Sequence, residues 1–252
     1  MIALMPIDHL TLAREALSRA RSIAILTGAG ISAESGIPTF RDALTGLWER
    51  FKPEELATPE AFLANPRQVW EWYAWRRERV AKARPNPGHT ALAELERKCI
   101  ARDANFTLIT QNVDGLHQVA GSRNVIELHG NIRRVKCFDH HHAVPSWTET
   151  GEIPPRCPQC ASMLRPDVVW FGETLPEDAL ETAMQAARNC DVFLAVGTSA
   201  LVEPAASLPL VARQAGAVVI EVNPQSTPLT AAAQISLRGA AGELLPQLVP
   251  LT

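Results

Sequence analysis

The sequence predicts an α/β fold, a Rossmann-like doubly wound parallel sheet that carries a second, smaller domain. Short apolar runs rich in β-branched residues alternate with helical stretches, which is typical of a parallel sheet covered by helices on both faces. Two long insertions interrupt this alternation. The six predicted strands are Ser22–Thr27, Phe106–Thr110, Asn124–Leu128, Asp191–Val196, Ala217–Val222 and Gln234–Leu237.

Helices are predicted before and between these strands. Residues 8–21 carry Leu10, Ala13, Leu17 and Ala20 at helical spacing, so this segment is predicted to be an amphipathic helix. Three further helical stretches are predicted at residues 88–98, 176–188 and 204–215.

The insertions define the predicted domain division. Residues 40–85 are mostly helical in character, and residues 134–165 are rich in cysteine, histidine and proline without a clear period. We expect these two modules to form the small domain over the carboxyl edge of the sheet. The large, nucleotide-binding domain then comprises residues 1–39, 86–133 and 166–252.

Composition excludes several classes of function. The chain has 252 residues, of which 46% are apolar and 20% charged, and its net charge of -3 gives no basic face for nucleic acid. It contains no apolar run of roughly 18 residues and no signal-peptide pattern at its start. We therefore expect a cytoplasmic protein without nucleic-acid or membrane partners. We also expect a monomer. Five cysteines, an odd number, fit metal binding better than a disulfide framework.

A glycine-rich turn follows the first predicted strand. Gly28-x-Gly30-x-x-Ala33 satisfies the dinucleotide fingerprint, in which backbone amides and a helix N-terminus face a pyrophosphate. Small residues at such a turn are as well explained by packing alone. The acidic ribose-binding residue expected about 20 positions later in a dehydrogenase is missing, because the chain continues into Pro38-Thr39-Phe40-Arg41. Hydride transfer is therefore disfavoured.

Polar motifs stand at the ends of the second and third predicted strands. Gln111, Asn112 and Asp114 follow the second strand, and His129 follows the third. Carboxyl ends of parallel strands share one edge of a sheet, so these side chains are expected around one crevice. An imidazole with a pKa near 6.5 suits a general base there. A single histidine at a strand end is, however, more often structural.

A third motif predicts a metal site. Cys157-x-x-Cys160 places two thiolates on one tight turn, and Cys137-x-x-His140 repeats that spacing upstream. The set predicts one closed, structural Zn²⁺ site, with His140 favoured over His141 and His142 by spacing alone. The alternative is that this site has lost its metal. A zinc knuckle that binds nucleic acid is the rival interpretation, but the surrounding positive charge is modest.

Together these motifs, in this order from Ile23 to Leu245, resemble the sirtuin family. The resemblance implies an NAD-dependent protein-lysine deacylase whose products are free lysine, nicotinamide and 2′-O-acyl-ADP-ribose. His129 is implied as the general base, with Asn112 and Asp114 orienting the ribose, the carboxamide and water. The implied NAD-binding residues are Gly28, Ala29, Gly30, Ser32, Ala33, Phe40, Arg41, Gln111, Asn112, Asp114, Gly197, Thr198, Ser199, Asn223 and Ala241.

The resemblance also implies where an acylated lysine binds. The residues that match the family's peptide clamp are Val169, Trp170, Phe171, Gly172 and Val202, although the two aromatics could simply be core residues. Tyr73-x-x-Arg76 resembles the class III, desuccinylase-like branch, which implies removal of succinyl, malonyl or glutaryl groups with some deacetylation. The alternative is an ordinary amphipathic helix with a solvated arginine.

Two other functions stay open from the sequence. Transfer of ADP-ribose to protein would use the same residues as deacylation. A non-enzymatic sensor of NAD or ADP-ribose would be expected to lack His129 or Asn112, and both residues are present.

Overall fold

The computed structural model describes residues 8–38, 52–148 and 150–249. In chain order its strands are β1 Ser22–Thr27, β2 Asn105–Thr110, β3 Val125–Glu127, β4 Gly130–Cys137, β5 Leu164–Val168, β6 Val192–Val196, β7 Val218–Val222 and β8 Ile235–Leu237. Its helices are α1 His9–Arg19, α2 Pro53–Leu56, α3 Pro59–Ala64, α4 Pro66–Lys82, α5 Pro87–Ala101, α6 Leu116–Val119, α7 Glu177–Asn189, α8 Leu208–Gln214 and α9 Ala241–Leu248.

The large sheet confirms the predicted fold class. Its six strands are all parallel and lie in the order β3-β2-β1-β6-β7-β8. The chain runs outward from β1 to β3, then crosses back to place β6 on the other side of β1. This reversal between β1 and β6 is the topological switch point, where open α/β sheets form their ligand crevice.

Helices cover both faces of this sheet. On one face, apolar side chains of α1, α5 and α9 pack against the strands in one core cluster. On the other face, α7 and α8 contribute alanine and leucine side chains to a second cluster. The buried faces explain why the strands consist of continuous apolar runs rather than alternating ones.

The small domain is built from helices α2, α3 and α4 and a hairpin. Helices α3 and α4 each begin with proline, and Thr58 and Asn65 cap their free N–H groups. Strands β4 and β5 pair in antiparallel fashion. The hairpin extends from Gly130 to Val168, a few residues beyond the predicted 134–165 module at each end.

Among the described helices, none combines the length and apolar character needed to cross a membrane. Phe40 and Arg41, predicted to contact NAD, lie outside the described residues.

Candidate active site

The switch point brings the turns after β1 and β6 into backbone contact. The N–H of Gly28 donates to Val196 O at 3.0 Å, and the N–H of Gly30 donates to Gly197 O at 2.8 Å. A Cβ on Gly28 would lie 2.7 Å from Thr198 Cα. Close packing therefore requires glycine at this position, and both glycine amides are used within the protein. Binding of NAD at the two glycines stays a prediction.

The segment after Gly28 is not the α-helix that the fingerprint predicts. It forms two 3₁₀ turns, Ala29–Ile31 and Ala33–Ser35, and Gly36 ends the second turn with a φ of 76°. The expectation of a helix N-terminus behind the phosphate loop is therefore wrong for residues 28–38. Because each turn is so short, few peptide dipoles add up and little positive charge accumulates.

Ser32 connects the glycine turn with the motif after β2. Its hydroxyl donates to Asp114 Oδ2 at 2.7 Å and lies 3.2 Å from Asn112 Nδ2, which also donates to Gly28 O at 3.1 Å. Burial raises the pKa of Asp114, although hydrogen bonds from Leu116 N–H and Ser32 oppose the shift. All three predicted side chains thus meet in one buried polar cluster.

His129 lies between the two domains, after β3 ends at Glu127 and before β4 begins at Gly130. Its Nδ1 lies 2.9 Å from Gln111 O. Because a carbonyl oxygen only accepts, Nδ1 carries the proton, which leaves Nε2 of the neutral ring as the basic atom. Burial lowers the pKa of His129, against the smaller opposing effect of this hydrogen bond. The geometry therefore provides a neutral, oriented base.

Below the crevice lies a group that we call the histidine network. Its members are Thr27, Ser32, His89, Thr110 and His117, each at most 3% exposed. His117 Nε2 lies 2.9 Å from Thr27 Oγ1, and His89 Nε2 lies 3.4 Å from Ser32 Oγ. Burial lowers the pKa of His89 to about 4 and, with the neighbouring His89, that of His117 to about 3. Both rings are neutral at physiological pH.

His89 is a buried polar residue for which no role was predicted from the sequence. The signal was present as Asn86-Pro87-Gly88-His89, because Asn86 caps α5 while its own N–H donates to His89 Nδ1 at 3.3 Å. A histidine at the third helical position, where glutamate or glutamine usually completes a capping box, could have indicated a buried role.

The remaining predicted nucleotide contacts lie on the β6–β7 side of the crevice. Gln111 Nε2 donates to Thr198 Oγ1 at 2.9 Å, and Asn223 Nδ2 donates to Thr198 O at 2.8 Å. Ala241 is buried at the start of α9. Of the other predicted contacts, Ala29 and Ser199 are half-buried and Ala33 is exposed.

The predicted peptide clamp is hydrogen-bonded to the backbone of the candidate base. Val169 N–H donates to His129 O at 2.9 Å. Phe171 and Val202 are exposed by 44% and 41%, and Gly172 is also exposed. Trp170, by contrast, is only 2% exposed, which agrees with the core interpretation left open for that residue.

Trp170 belongs to a group that we call the aromatic cluster, made of Phe62, Tyr73, Arg165, Trp170 and Glu173. The indole N–H of Trp170 donates to Tyr73 Oη at 3.0 Å, and Phe62 packs with a ring-centroid distance of 5.2 Å. Burial raises the pKa of Tyr73 to about 12. Arg165 is fully buried and forms a bidentate pair with Glu173.

Tyr73 and Arg76 lie on one side of α4, as the i, i+3 spacing predicts. The Arg76 guanidinium carbon is 4.8 Å from the centre of the Trp72 ring and 5.8 Å from that of Tyr73. Burial lowers the pKa of Arg76. The solvated-arginine alternative is therefore wrong for this residue, because the guanidinium packs on aromatic faces.

Three of the four predicted metal ligands form a cluster. The sulfur atoms of Cys137, Cys157 and Cys160 lie within 4.8 Å of one another, and Cys137 Sγ and Cys160 Sγ are 3.5 Å apart. Although burial raises the pKa of Cys157, backbone amides of the Cys157–Cys160 turn bring it to about 7. The turn therefore favours the thiolate form of Cys157.

The preference for His140 as the fourth ligand is not supported by the geometry. Cys137 N–H donates to His142 O and His141 N–H donates to Cys137 O, so a closed turn brings His142 back beside Cys137. His142 Nε2 lies 3.4 Å from Cys157 Sγ, whereas the His140 side chain is exposed. The Cys-x-x-His spacing indicated His140 because that spacing assumes a turn shorter than the one that runs from Cys137 to His142.

Comparison with known proteins gives consistent matches. A model of the Sir2 family matches residues 28–204. An NAD-dependent protein deacylase of Thermus thermophilus is 54% identical over 243 residues, covering 96% of this chain and 95% of that protein.

Solved structures show the same relationship. A Sir2 homolog in complex with NAD is 51% identical, with a TM-score of 0.87 over 95% of this chain and 92% of that one. A Sir2 protein bound to a myristoylated histone peptide is 40% identical, with a TM-score of 0.75 over 96% and 95% of the two chains.

Proposed function

This chain belongs to the Sir2 family and is an NAD-dependent protein deacylase, and we propose that His129 is the general base of its reaction on acylated lysine. The observation that carries the proposal is the hydrogen bond from His129 Nδ1–H to Gln111 O. It leaves Nε2 of the neutral ring as the proton acceptor. When bound, NAD would supply the ribose carbon that accepts the acyl oxygen, with nicotinamide as the leaving group.

The chain's own residues then have separate tasks. His129 Nε2 takes the proton of a ribose hydroxyl so that the hydroxyl oxygen can attack the acyl carbon. Asn112 and Asp114 hold ribose and carboxamide in place, since an amide and a carboxylate can fix hydroxyl groups in one geometry. Gln111 and Asn223 both bond to Thr198 and so support the adenine side. ADP-ribosyl transfer and a non-enzymatic sensor are not favoured by these relatives.

His129→Ala tests the assignment of the base. We expect turnover to fall by a factor of about 10²–10⁴, the usual contribution of general-base catalysis, while NAD binding measured by calorimetry changes little. Because burial lowers the pKa of His129, kcat/KM of the wild type should rise with pH to a plateau, with its midpoint below about 6.5.

His9→Ala is the matched control, since that exposed imidazole lies on α1 and contacts Ser236 O. Near-normal turnover in the His129 variant, or an unchanged acidic limb of its pH profile, would contradict the assignment.

We further propose that the acyl group is a short dicarboxylate such as succinyl, malonyl or glutaryl. Support comes from Tyr73 and Arg76, two buried or half-buried polar groups on α4 among aromatic side chains. A guanidinium can pair with a carboxylate in bidentate fashion, and a buried phenol can donate a further hydrogen bond. The substrate carbon chain would lie against the surrounding rings.

The experiment compares succinyl and acetyl versions of one peptide. In Arg76→Met we expect kcat/KM for the succinyl peptide to fall by about 10- to 100-fold, as for loss of a charge-assisted hydrogen bond, with little change for acetyl. Arg79→Met is the control, because Arg79 lies on the same helix but is exposed. Equal losses on both substrates would show that Arg76 is structural.

We also propose that Cys137, Cys157, Cys160 and His142 hold one structural Zn²⁺. The sulfur spacing fits, since tetrahedral Zn–S bonds of about 2.3 Å place sulfurs about 3.8 Å apart. Four protein ligands leave no open position for catalysis, so the ion would fix the hairpin of β4 and β5. Its removal by a chelator should unfold this module rather than affect the reaction chemistry.

Metal content decides between the histidines. We expect about one zinc per chain in the wild type and in His140→Ala, but a clearly weaker affinity in His142→Ala. Zinc loss in His140→Ala with retention in His142→Ala would reverse the ligand assignment. Absence of zinc from chelator-free wild type would overturn the site.

A further inference from the structure

Trp170 has an unusual combination of position and environment. It lies in the segment that matches the peptide clamp, next to Val169, whose N–H bonds to His129 O. Its side chain is 2% exposed, and its indole N–H donates to Tyr73 Oη at 3.0 Å. An effect of the indole on acyl selection would therefore act through Tyr73.

The indole is held from several directions. The Arg165 guanidinium carbon lies 3.3 Å from the centre of the ring, and Phe62 packs with a centroid distance of 5.2 Å. The backbone N–H of Trp170 donates to Glu173 Oε2 at 2.8 Å, and the same carboxylate binds Arg165. These contacts leave the ring a single orientation.

That orientation fixes the hydrogen-bonding role of Tyr73. An indole N–H can only donate, so at 3.0 Å the Tyr73 oxygen must accept. The phenolic proton then has to point away from Trp170. In the part of the chain that the structure describes, Tyr73 Oη has no second partner, and this proton is available to an acceptor on the same side of α4 as Arg76.

We propose that Trp170 is a positioning residue for acyl selection, which acts by orienting the Tyr73 hydroxyl as a donor to the distal carboxylate of the acyl group. This inference rests on the proposed dicarboxylic specificity and explains how the phenol is kept in its donor role. An acetyl group has no distal carboxylate, so its turnover should not depend on the orientation of Tyr73.

Trp170→Phe is the direct test, because it keeps an aromatic ring against Phe62 and Arg165 but removes the N–H. We expect the ratio of succinyl to acetyl kcat/KM to fall about three- to tenfold, as for loss of one neutral hydrogen bond that only the succinyl group uses. Tyr73→Phe should give a similar selective loss.

The double variant separates orientation from independent contributions. If Trp170 acts through Tyr73, Tyr73→Phe/Trp170→Phe should lose no more succinyl activity than Tyr73→Phe alone. Additive losses, or equal losses on acetyl and succinyl peptides, would overturn the inference. If Trp170→Phe does not fold, Trp170→His offers a smaller ring with an N–H, and its succinyl selectivity should exceed that of Trp170→Leu; equal selectivity would contradict the inference.

Failure of the inference can be told apart from failure of the proposed specificity. If wild type shows no succinyl preference and Arg76→Met has no selective effect, the dicarboxylic assignment itself is wrong. If wild type prefers succinyl and Arg76→Met is selective but Trp170→Phe keeps the wild-type selectivity, only the role of Trp170 is wrong.

Discussion

The histidine network and the aromatic cluster are both buried, yet the histidines of the first are neutral whereas Arg165 and Glu173 of the second are ionised. In the histidine network, burial lowers the pKa of His89 and His117 so far that both rings are neutral. In the aromatic cluster, Arg165 stays charged and is neutralised by Glu173. Burial thus keeps the two histidines neutral, whereas the fully buried Arg165 guanidinium is balanced by the carboxylate of Glu173.

The two regions should therefore respond differently to mutation and to pH. Although burial raises it, hydrogen bonds from Arg165 and from Trp170 N–H bring the pKa of Glu173 below its ordinary value. The Arg165–Glu173 pair consequently stays ionised through mildly acidic solution. The histidine network, in contrast, should become unstable there.

The largest loss of folding stability is expected from breaking the Arg165–Glu173 ion pair. Glu173→Gln leaves the fully buried guanidinium of Arg165 without its counter-charge, which should lower the free energy of unfolding by about 2–4 kcal/mol. Urea denaturation measures the change. Glu152→Gln is the matched control, because its pair with Arg156 is exposed and should contribute nothing measurable. Equal effects of the two substitutions would contradict the role assigned to burial.

An intermediate loss of folding stability is expected from substitutions at Gly36 and Gly197, in the turns that follow β1 and β6. Gly197 and Gly36 have similar positive φ angles of 59° and 76°, but a Cβ on Gly197 would lie 2.5 Å from Ile31 N, whereas one on Gly36 meets nothing within 4 Å. Gly36→Ala should cost about 1 kcal/mol for the left-handed conformation alone. Gly197→Ala should cost at least about 2–3 kcal/mol, again by urea denaturation. Similar losses would show that backbone packing at the switch point is not tight.

The smallest loss of folding stability is expected from lowering the pH. A histidine whose folded-state pKa is below about 6.5 takes up its proton first in the unfolded chain, so stability falls as pH decreases below that value. Between pH 7 and 5.5, His89 and His117 should each remove roughly 1 kcal/mol of stability. His117→Phe should abolish about half of this dependence. An unchanged dependence in that variant would mean that His117 does not carry it.

The sequence predicted the large sheet well because its signal is local. Each buried strand is a continuous apolar run, and all six predicted strands appear with their boundaries within one residue. The clustering of Asn112 and Asp114 with Ser32 also followed from topology, since strand ends of a parallel sheet share one edge. Such features depend on chain order rather than on detailed side-chain geometry.

The features that were missed depend on long-range packing or on the exact course of a turn. His142 approaches Cys157 because of a closed turn that ligand spacing does not reveal, and Trp170 is buried by contacts with Phe62 and Arg165. The 3₁₀ turns after Gly28 likewise replace a helix because the chain must pass close to Gly197. No local pattern specifies any of these contacts.

One competition assay tests the central claim, which combines deacylation with dicarboxylic selection. Wild-type protein is incubated with NAD and an equimolar mixture of succinyl and acetyl versions of one peptide, and products are followed by mass spectrometry. We expect nicotinamide, deacylated peptide and acyl-ADP-ribose in equal amounts, with the succinyl peptide consumed first. Formation of ADP-ribosylated peptide, nicotinamide release without free lysine, or earlier consumption of the acetyl peptide would contradict the account.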